Sequence, residues 1–125
     1  MRLYVDIILS GRDFSPPQTE ALCGVSFKKA VCAGDWNARL GCKEDEGYAV
    51  LSSEGSGSGA ESAIDCALTE YEKVFTAGEE RLGIERSDFW LYIECLQNSF
   101  TLETSRLAKI SRFFSKMNIT YIQEN

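Results

Sequence analysis

Apolar residues along the chain gather into β-forming runs and into helically spaced stripes, and these predict its elements. Leu3–Leu9 (Leu-Tyr-Val-Asp-Ile-Ile-Leu) is rich in β-formers and predicts a buried strand. Gly11 to Phe14 predicts a turn. Ser15-Pro16-Pro17-Gln18 predicts a helix start, with Ser15 as cap, Pro16 at the first helical position and Gln18 closing a capping box. Gly24 is placed to stop that helix early. Val25–Cys32 predicts a second strand, with Lys28 and Lys29 near an edge. Ala33 to Gly47 is turn-rich, and Tyr48–Leu51 resumes as a strand. Gly55-Ser56-Gly57-Ser58-Gly59 then predicts a flexible connector inside one domain.

Ser58-Gly59-Ala60-Glu61 offers a second capping box before the longest helical pattern. There Ile64, Leu68, Tyr71, Phe75 and Leu82 form one stripe and Gly83 is the expected stop. Phe89–Leu96 is the clearest strand. Thr101 begins a further helix with Leu102, Ile110, Phe113, Phe114 and Met117 on its inner side and Asn118 at its end; Ile119–Ile122 closes the chain as a strand. The order β-α-β-β-α-β-α-β over residues 1–125 predicts a single α+β domain. Its sheet is expected to be mostly antiparallel, with helices packed on one face and the other face partly open.

Composition agrees with one core: 125 residues, 44% hydrophobic and 26% charged. No apolar run approaches the roughly 18 residues of a membrane helix, and the N-terminus lacks the apolar region of a signal peptide. A cytoplasmic location is therefore expected. The net charge of −6 is uneven. Between Asp35 and Glu70 stand eight acids and two bases, and elsewhere the charges cancel. Either Glu61 and Asp65 favour a helix N-terminus while Glu44-Asp45-Glu46 is a solvated loop, or the segment is a negative surface that steers a basic partner. On the second reading Asp35, Glu44, Asp45, Glu46, Glu54, Glu61 and Asp65 are the partner-binding candidates, with Trp36 as an aromatic anchor. Arg106, Lys109, Arg112 and Lys116 fall on one side of the last helix and predict a solvated basic face, not a nucleic-acid surface.

Candidate chemistry is sparse. There is no histidine, which removes the usual general base, the usual partner of a nucleophilic Ser or Cys and the commonest transition-metal ligand. The five cysteines, Cys23, Cys32, Cys42, Cys66 and Cys95, are odd in number and lack Cys-x-x-Cys spacing. They predict reduced, mostly buried thiols, not disulfides or a zinc site. Phosphate-binding and nucleophile-elbow motifs are missing. Asp6 and Glu94 lie mid-strand and are candidates for a neighbouring carboxylate pair, or simply for outward-facing strand positions.

Several short motifs carry a resemblance. The runs Ile8-Leu9-Ser10-Gly11-Arg12-Asp13-Phe14-Ser15-Pro16, Leu22-Cys23-Gly24-Val25, Gly34-Asp35, Gly47-Tyr48-Ala49-Val50-Leu51-Ser52-Ser53 and Met117-Asn118-Ile119-Thr120-Tyr121 together resemble the bacterial domain of unknown function 4279 family. Arg12, Cys23 and Tyr48 depart from its pattern. The resemblance implies no catalytic residues; small bacterial families of this type include immunity proteins of interbacterial toxins. The expectation is thus a non-enzymatic binding protein without metal or cofactor. Its partner is expected to be a basic protein, such as a toxin or a nucleic-acid-handling protein, bound through the acidic segment. A phage-encoded inhibitor of a host defence system fits the same features. A small-molecule-binding or hydrolytic domain, using a cysteine or carboxylate pair on the open face, is the contrasting expectation. Pairing of identical chains through a sheet edge, at Phe89–Leu96 or Ile119–Ile122, is a further one.

Overall fold

Strand β1 (Arg2–Gly11) is the centre of a five-stranded sheet in the order β2-β5-β1-β6-β7, as seen in a computed structural model that describes residues 1–95 and 100–122. Its partners are β5 (Gly47–Ser56) and β6 (Arg86–Glu94), both antiparallel. The short β2 (Lys29–Val31) joins β5 antiparallel at one edge, and β7 (Met117–Ile122) joins β6 parallel at the other. Strands β3 (Trp36–Asn37) and β4 (Cys42–Lys43) form a separate small hairpin within the turn-rich stretch. Helices α1 (Pro16–Cys23), α2 (Ser62–Ala77) and α3 (Thr104–Phe113) pack on one face. The α+β architecture with a mostly antiparallel sheet is the one expected.

The core follows from strand alternation. Leu3, Val5, Ile7 and Leu9 of β1, Ala49 and Leu51 of β5, and Phe89, Leu91 and Ile93 of β6 point to the helices and are buried. They meet Ala63, Ile64, Ala67, Leu68, Tyr71 and Val74 of α2. Tyr71 joins the layers: its ring lies 4.7 Å from Phe114 and 5.6 Å from Phe113, and its hydroxyl donates to Ser87 Oγ at 3.3 Å.

Local signals account for α1. Ser15 Oγ accepts from the Gln18 backbone N–H, and Gly24 at φ +70° ends the helix. Elsewhere tertiary pairing moves the boundaries. Only Lys29–Val31 of the expected Val25–Cys32 strand enters the sheet, because Val25 is buried and the Glu20 carboxylate takes the Phe27 N–H at 3.2 Å. Strand β5 runs well past Leu51, since ten residues of β1 hold its Ser- and Gly-rich half in register. The expected connector is therefore structured: Gly55 and Ser56 end β5, and Gly57–Gly59 is one 3₁₀ turn. A Cβ on Gly55 would lie 2.6 Å from the Ala60 carbonyl oxygen.

That turn takes Ser58 out of a capping role. Glu61 stands at the cap of α2 and makes no side-chain cap bond. The helix stops at Gly78 (φ +98°), short of Leu82 and Gly83. Gly83 is needed for close approach instead, since a Cβ there would collide with the Asp13 carbonyl. Helix α3 starts at Thr104, not Thr101. It ends at Phe113 because Phe114 turns extended and buries its ring 5.5 Å from Phe89, which places Met117 and Asn118 in β7. Leu96, the last residue of the expected Phe89–Leu96 strand, lies outside the described residues. Among the described residues no helix is long and apolar enough to cross a membrane.

Candidate partner-binding groove

The helix-free face of the sheet is built by the strand positions that alternate with the core. Register sets these side chains in rows across the strands. Glu54, Tyr4 and Tyr92 form one row, with Thr120 of β7 beyond them. One step along the strands on one side lie Ser52, Asp6, Trp90 and Asn118; one step on the other side lie Ser56, Arg2, Glu94 and Ile122. Together they shape an open groove of about 580 Å³ lined by Tyr4, Asp6, Lys28, Ser52, Ser53, Glu54, Tyr92, Glu94 and Ile122.

Hydrogen bonds hold the floor in place. Tyr4 donates to Glu94 Oε2 at 3.2 Å, Arg2 donates to the Tyr4 hydroxyl at 3.5 Å, and Ser52 donates to Asp6 Oδ1 at 2.5 Å. Trp90 and Tyr92 stack with centroids 6.1 Å apart and planes 17° from parallel. Burial, and then the charge of Asp6 and the nearby Tyr48, push the Tyr92 phenol upward, so it remains a neutral donor. Beyond the groove Lys29 sits 5.8 Å above the Tyr48 ring.

The groove carboxylates are set apart by sharing one face, since Asp35, Glu44, Asp45 and Glu61 also make no ion pair among the described residues. Among the described residues no ion pair reaches Asp6, Glu54 or Glu94. On the helix side, Asp65 pairs with Arg106 at 3.1 Å and Lys109 at 3.9 Å, and Glu72 pairs with Arg112 at 3.6 Å. The three bases within α3 are therefore engaged with α2 and its neighbourhood, not simply solvated, while Lys116, expected on the same helix face, lies past the helix end. Strand spacing and rise put the groove carboxylates' Cα atoms about 8 Å (Asp6 to Glu54), 12 Å (Glu54 to Glu94) and 14 Å (Asp6 to Glu94) apart. Asp6 and Glu94 thus share a groove without being the neighbouring pair that the sequence offered. Among the described residues no group of three or more His, Cys, Asp or Glu side chains is placed to hold a metal ion.

The eight partner-binding candidates fall in three places. Asp35, Trp36, Glu44, Asp45 and Glu46 lie in or beside the small hairpin. There the Asp35 carboxylate accepts from the Cys32 N–H at 2.8 Å and Glu44 accepts from the Asn37 side-chain amide at 2.6 Å. Trp36 is 65% exposed, Asp45 is exposed, and Glu46 pairs with Arg86. Glu54 alone belongs to the groove, about 25 Å along β5 from Glu46. Glu61 and Asp65 are on α2, on the opposite face of the sheet. Tyr4, Tyr92, Trp90 and Lys28 were not singled out by sequence reasoning. The usable signal is the alternation within Leu3–Leu9 and Phe89–Leu96, which sets aromatic and acidic residues on one side of each strand.

Cysteine burial departs from expectation. Cys42 and Cys66 are exposed, while Cys23, Cys32 and Cys95 are half-buried. The exposed pair sits on the minimal hairpin and on the outer side of α2, where no core lies over them. Burial pushes the Cys23 thiol upward, away from the thiolate a nucleophile needs. None of the five lines the groove.

No family model, no curated protein and no solved structure matches this chain. The resemblance to the domain of unknown function 4279 family rests on its short motifs.

Proposed function

We propose that the chain is a non-catalytic binding protein that occludes a basic protein partner, seating cationic side chains of that partner in the groove on the open face of its sheet. The observation that carries the reading is the set of carboxylates Asp6, Glu54 and Glu94, which surround the Tyr4–Tyr92 floor without an ion pair among the described residues. Lys28 lines the groove and Arg2 stands opposite Glu94, so the three carboxylates outnumber the cations near them. A ligand that brings guanidinium or ammonium groups supplies charge pairing and a tyrosine face for cation–π contact. The separations of about 8 to 14 Å suit several cations along a chain better than one compact ion. Partner occlusion of the immunity kind is the form this takes on the bacterial resemblance. The exposed Trp36 hairpin is then an outlying contact, distant from the groove.

An oligo-arginine peptide at low ionic strength is a direct probe. In a Trp36→Phe background, titration should change the fluorescence of Trp90, and binding should weaken steeply as salt rises. The triple variant Asp6→Asn, Glu54→Gln, Glu94→Gln should lose at least about tenfold in affinity, a difference of about 1.4 kcal/mol. Asp65→Asn with Glu72→Gln, on the helix face, should bind as the wild type does. Equal binding by the triple variant, or equal loss from the helix-face variant, would refute the assignment. Co-expression with a cognate toxin tests the immunity form: growth rescue by the wild type and not by the triple variant is the expected result.

A further inference from the structure

The two edges of the sheet are unlike. Strand β2 is three residues long, includes Lys29 and is preceded by Lys28, so it is a short, charged edge of the kind that resists pairing. Strand β7 is twice that length, Met-Asn-Ile-Thr-Tyr-Ile, and contains no charged residue. Among the described residues it is hydrogen-bonded to β6 on one side and to no strand on the other. Its side chains are exposed out of proportion to their chemistry: Ile119 by 49%, Tyr121 by 55% and Ile122 by 40%. Register places Ile119 and Tyr121 beside Leu91 and Ile93, which are fully buried on the helix side of β6. The apolar layer therefore continues beyond β5 and β1, over which α2 packs, and among the described residues Ile119 and Tyr121 on β7 remain largely exposed.

We infer that two copies of the chain pair antiparallel along β7 about a two-fold axis at Thr120, making one continuous ten-stranded sheet. In that register Ile119 of each copy faces Tyr121 of the other, an aromatic–β-branched cross-strand pair repeated by symmetry, and Thr120 faces Thr120. Charge selects the second copy as occupant. A chain of net charge −6 repels itself at most surfaces, but this strand brings no like charges into register. A basic partner, by contrast, is drawn to the acidic groove and finds nothing on a neutral edge. A two-fold perpendicular to the sheet leaves both open faces on the same side. Ile122, which lines the groove, stands at the seam, so the two grooves open toward each other.

Sedimentation equilibrium from micromolar to near-millimolar concentration tests this without reference to any partner. The wild type should pass from 13.9 kDa toward twice that mass. Ile119→Lys and, separately, Tyr121→Lys should raise the dissociation constant at least about tenfold, with an unchanged far-UV circular dichroism spectrum. Lys29→Glu, on the other edge, should leave it unchanged. A wild type that stays at 13.9 kDa throughout overturns the inference, as does a dimer indifferent to both β7 variants or equally disrupted by Lys29→Glu. The groove reading has its own outcome: the β7 lysine variants should still bind oligo-arginine.

Discussion

Tyr71 is the side chain through which α2, α3 and β6 are joined, and its truncation tests whether that junction holds the helix layer on the sheet. The residue is fully buried, with Phe75, Phe113 and Phe114 at 6.4, 5.6 and 4.7 Å and one hydroxyl bond to Ser87 at 3.3 Å. Tyr71→Ala removes the ring and leaves a cavity between two helices and a strand. Truncation of a buried aromatic costs about 3–5 kcal/mol, a large share of the roughly 5–15 kcal/mol a domain this size possesses. Tyr71→Phe keeps the ring and deletes one neutral, slightly long hydrogen bond. The Ser87 hydroxyl still has the Glu79 carboxylate within 3.3 Å, so the expected cost is only about 0.5–1 kcal/mol. Urea unfolding followed by far-UV circular dichroism separates the two, provided the denaturant slope stays constant across the series. A Tyr71→Ala cost under about 1 kcal/mol would refute the packing account. Equal costs for Phe and Ala would place the stabilisation in the hydroxyl instead.

Other substitutions probe separate links. Gly47→Ala should cost about 3 kcal/mol or more, because its Cβ would overlap the Phe14 carbonyl oxygen; Gly24→Ala, at φ +70° in open space, should cost only about 1–2 kcal/mol, and thermal melts rank the two. Burial raises the Glu79 carboxyl, an effect only partly offset by the Ser87 hydroxyl, so its native pKa lies above the unfolded value. The stability this contributes is present below the unfolded carboxyl pKa and is lost as pH rises through the raised native one. Glu79→Gln should accordingly gain stability over the wild type at pH 7 and show little gain at pH 4; a uniform difference would show that Glu79 does not titrate this way. Maleimide should label Cys42 and Cys66 well before the half-buried Cys23, as peptide mass mapping of short reactions would record.

Much of the fold is legible because local chemistry and tertiary packing agree. Leu3–Leu9, rich in β-formers, lies within β1, and the Ser15, Pro16 and Gly24 signals bound α1 where caps and glycine conformation require. The departures are sites where a neighbour decides. Ser52 to Ser56 has little intrinsic strand preference, yet it pairs along Arg2–Asp6. Phe114 continues a helical stripe in sequence, but its ring is better buried against Phe89 and Tyr71 once the backbone turns extended. Gly78 and Gly83 are equivalent helix stops on paper. Only the closeness of Asp13 to Gly83 shows that the latter serves a loop contact.

The candidate site was less legible for a different reason: charge can be counted along a chain, but neutralisation happens across it. Asp35 to Glu70 holds the whole net charge, and yet Asp65 is paired with Arg106, 41 residues away, and Glu46 with Arg86, 40 away. Those pairs thin the charge of the acidic segment, which keeps Asp35, Glu44, Asp45, Glu54 and Glu61 without an ion pair among the described residues, but they do not place it on one surface. The carboxylates without ion pairs include Asp6 and Glu94, which stand in balanced stretches of sequence and meet Glu54 only because β1 lies between β5 and β6. The distinction has a measurable consequence that a simple count of acids does not produce. If the groove selects the partner, neutralising Asp6 and Glu94 should weaken oligo-arginine binding more than neutralising Glu44 and Asp45, although each double substitution removes the same formal charge and neither pair of residues has an ion pair among the described residues. Equal losses would mean that only the overall charge attracts the peptide, and the groove would then have no special standing.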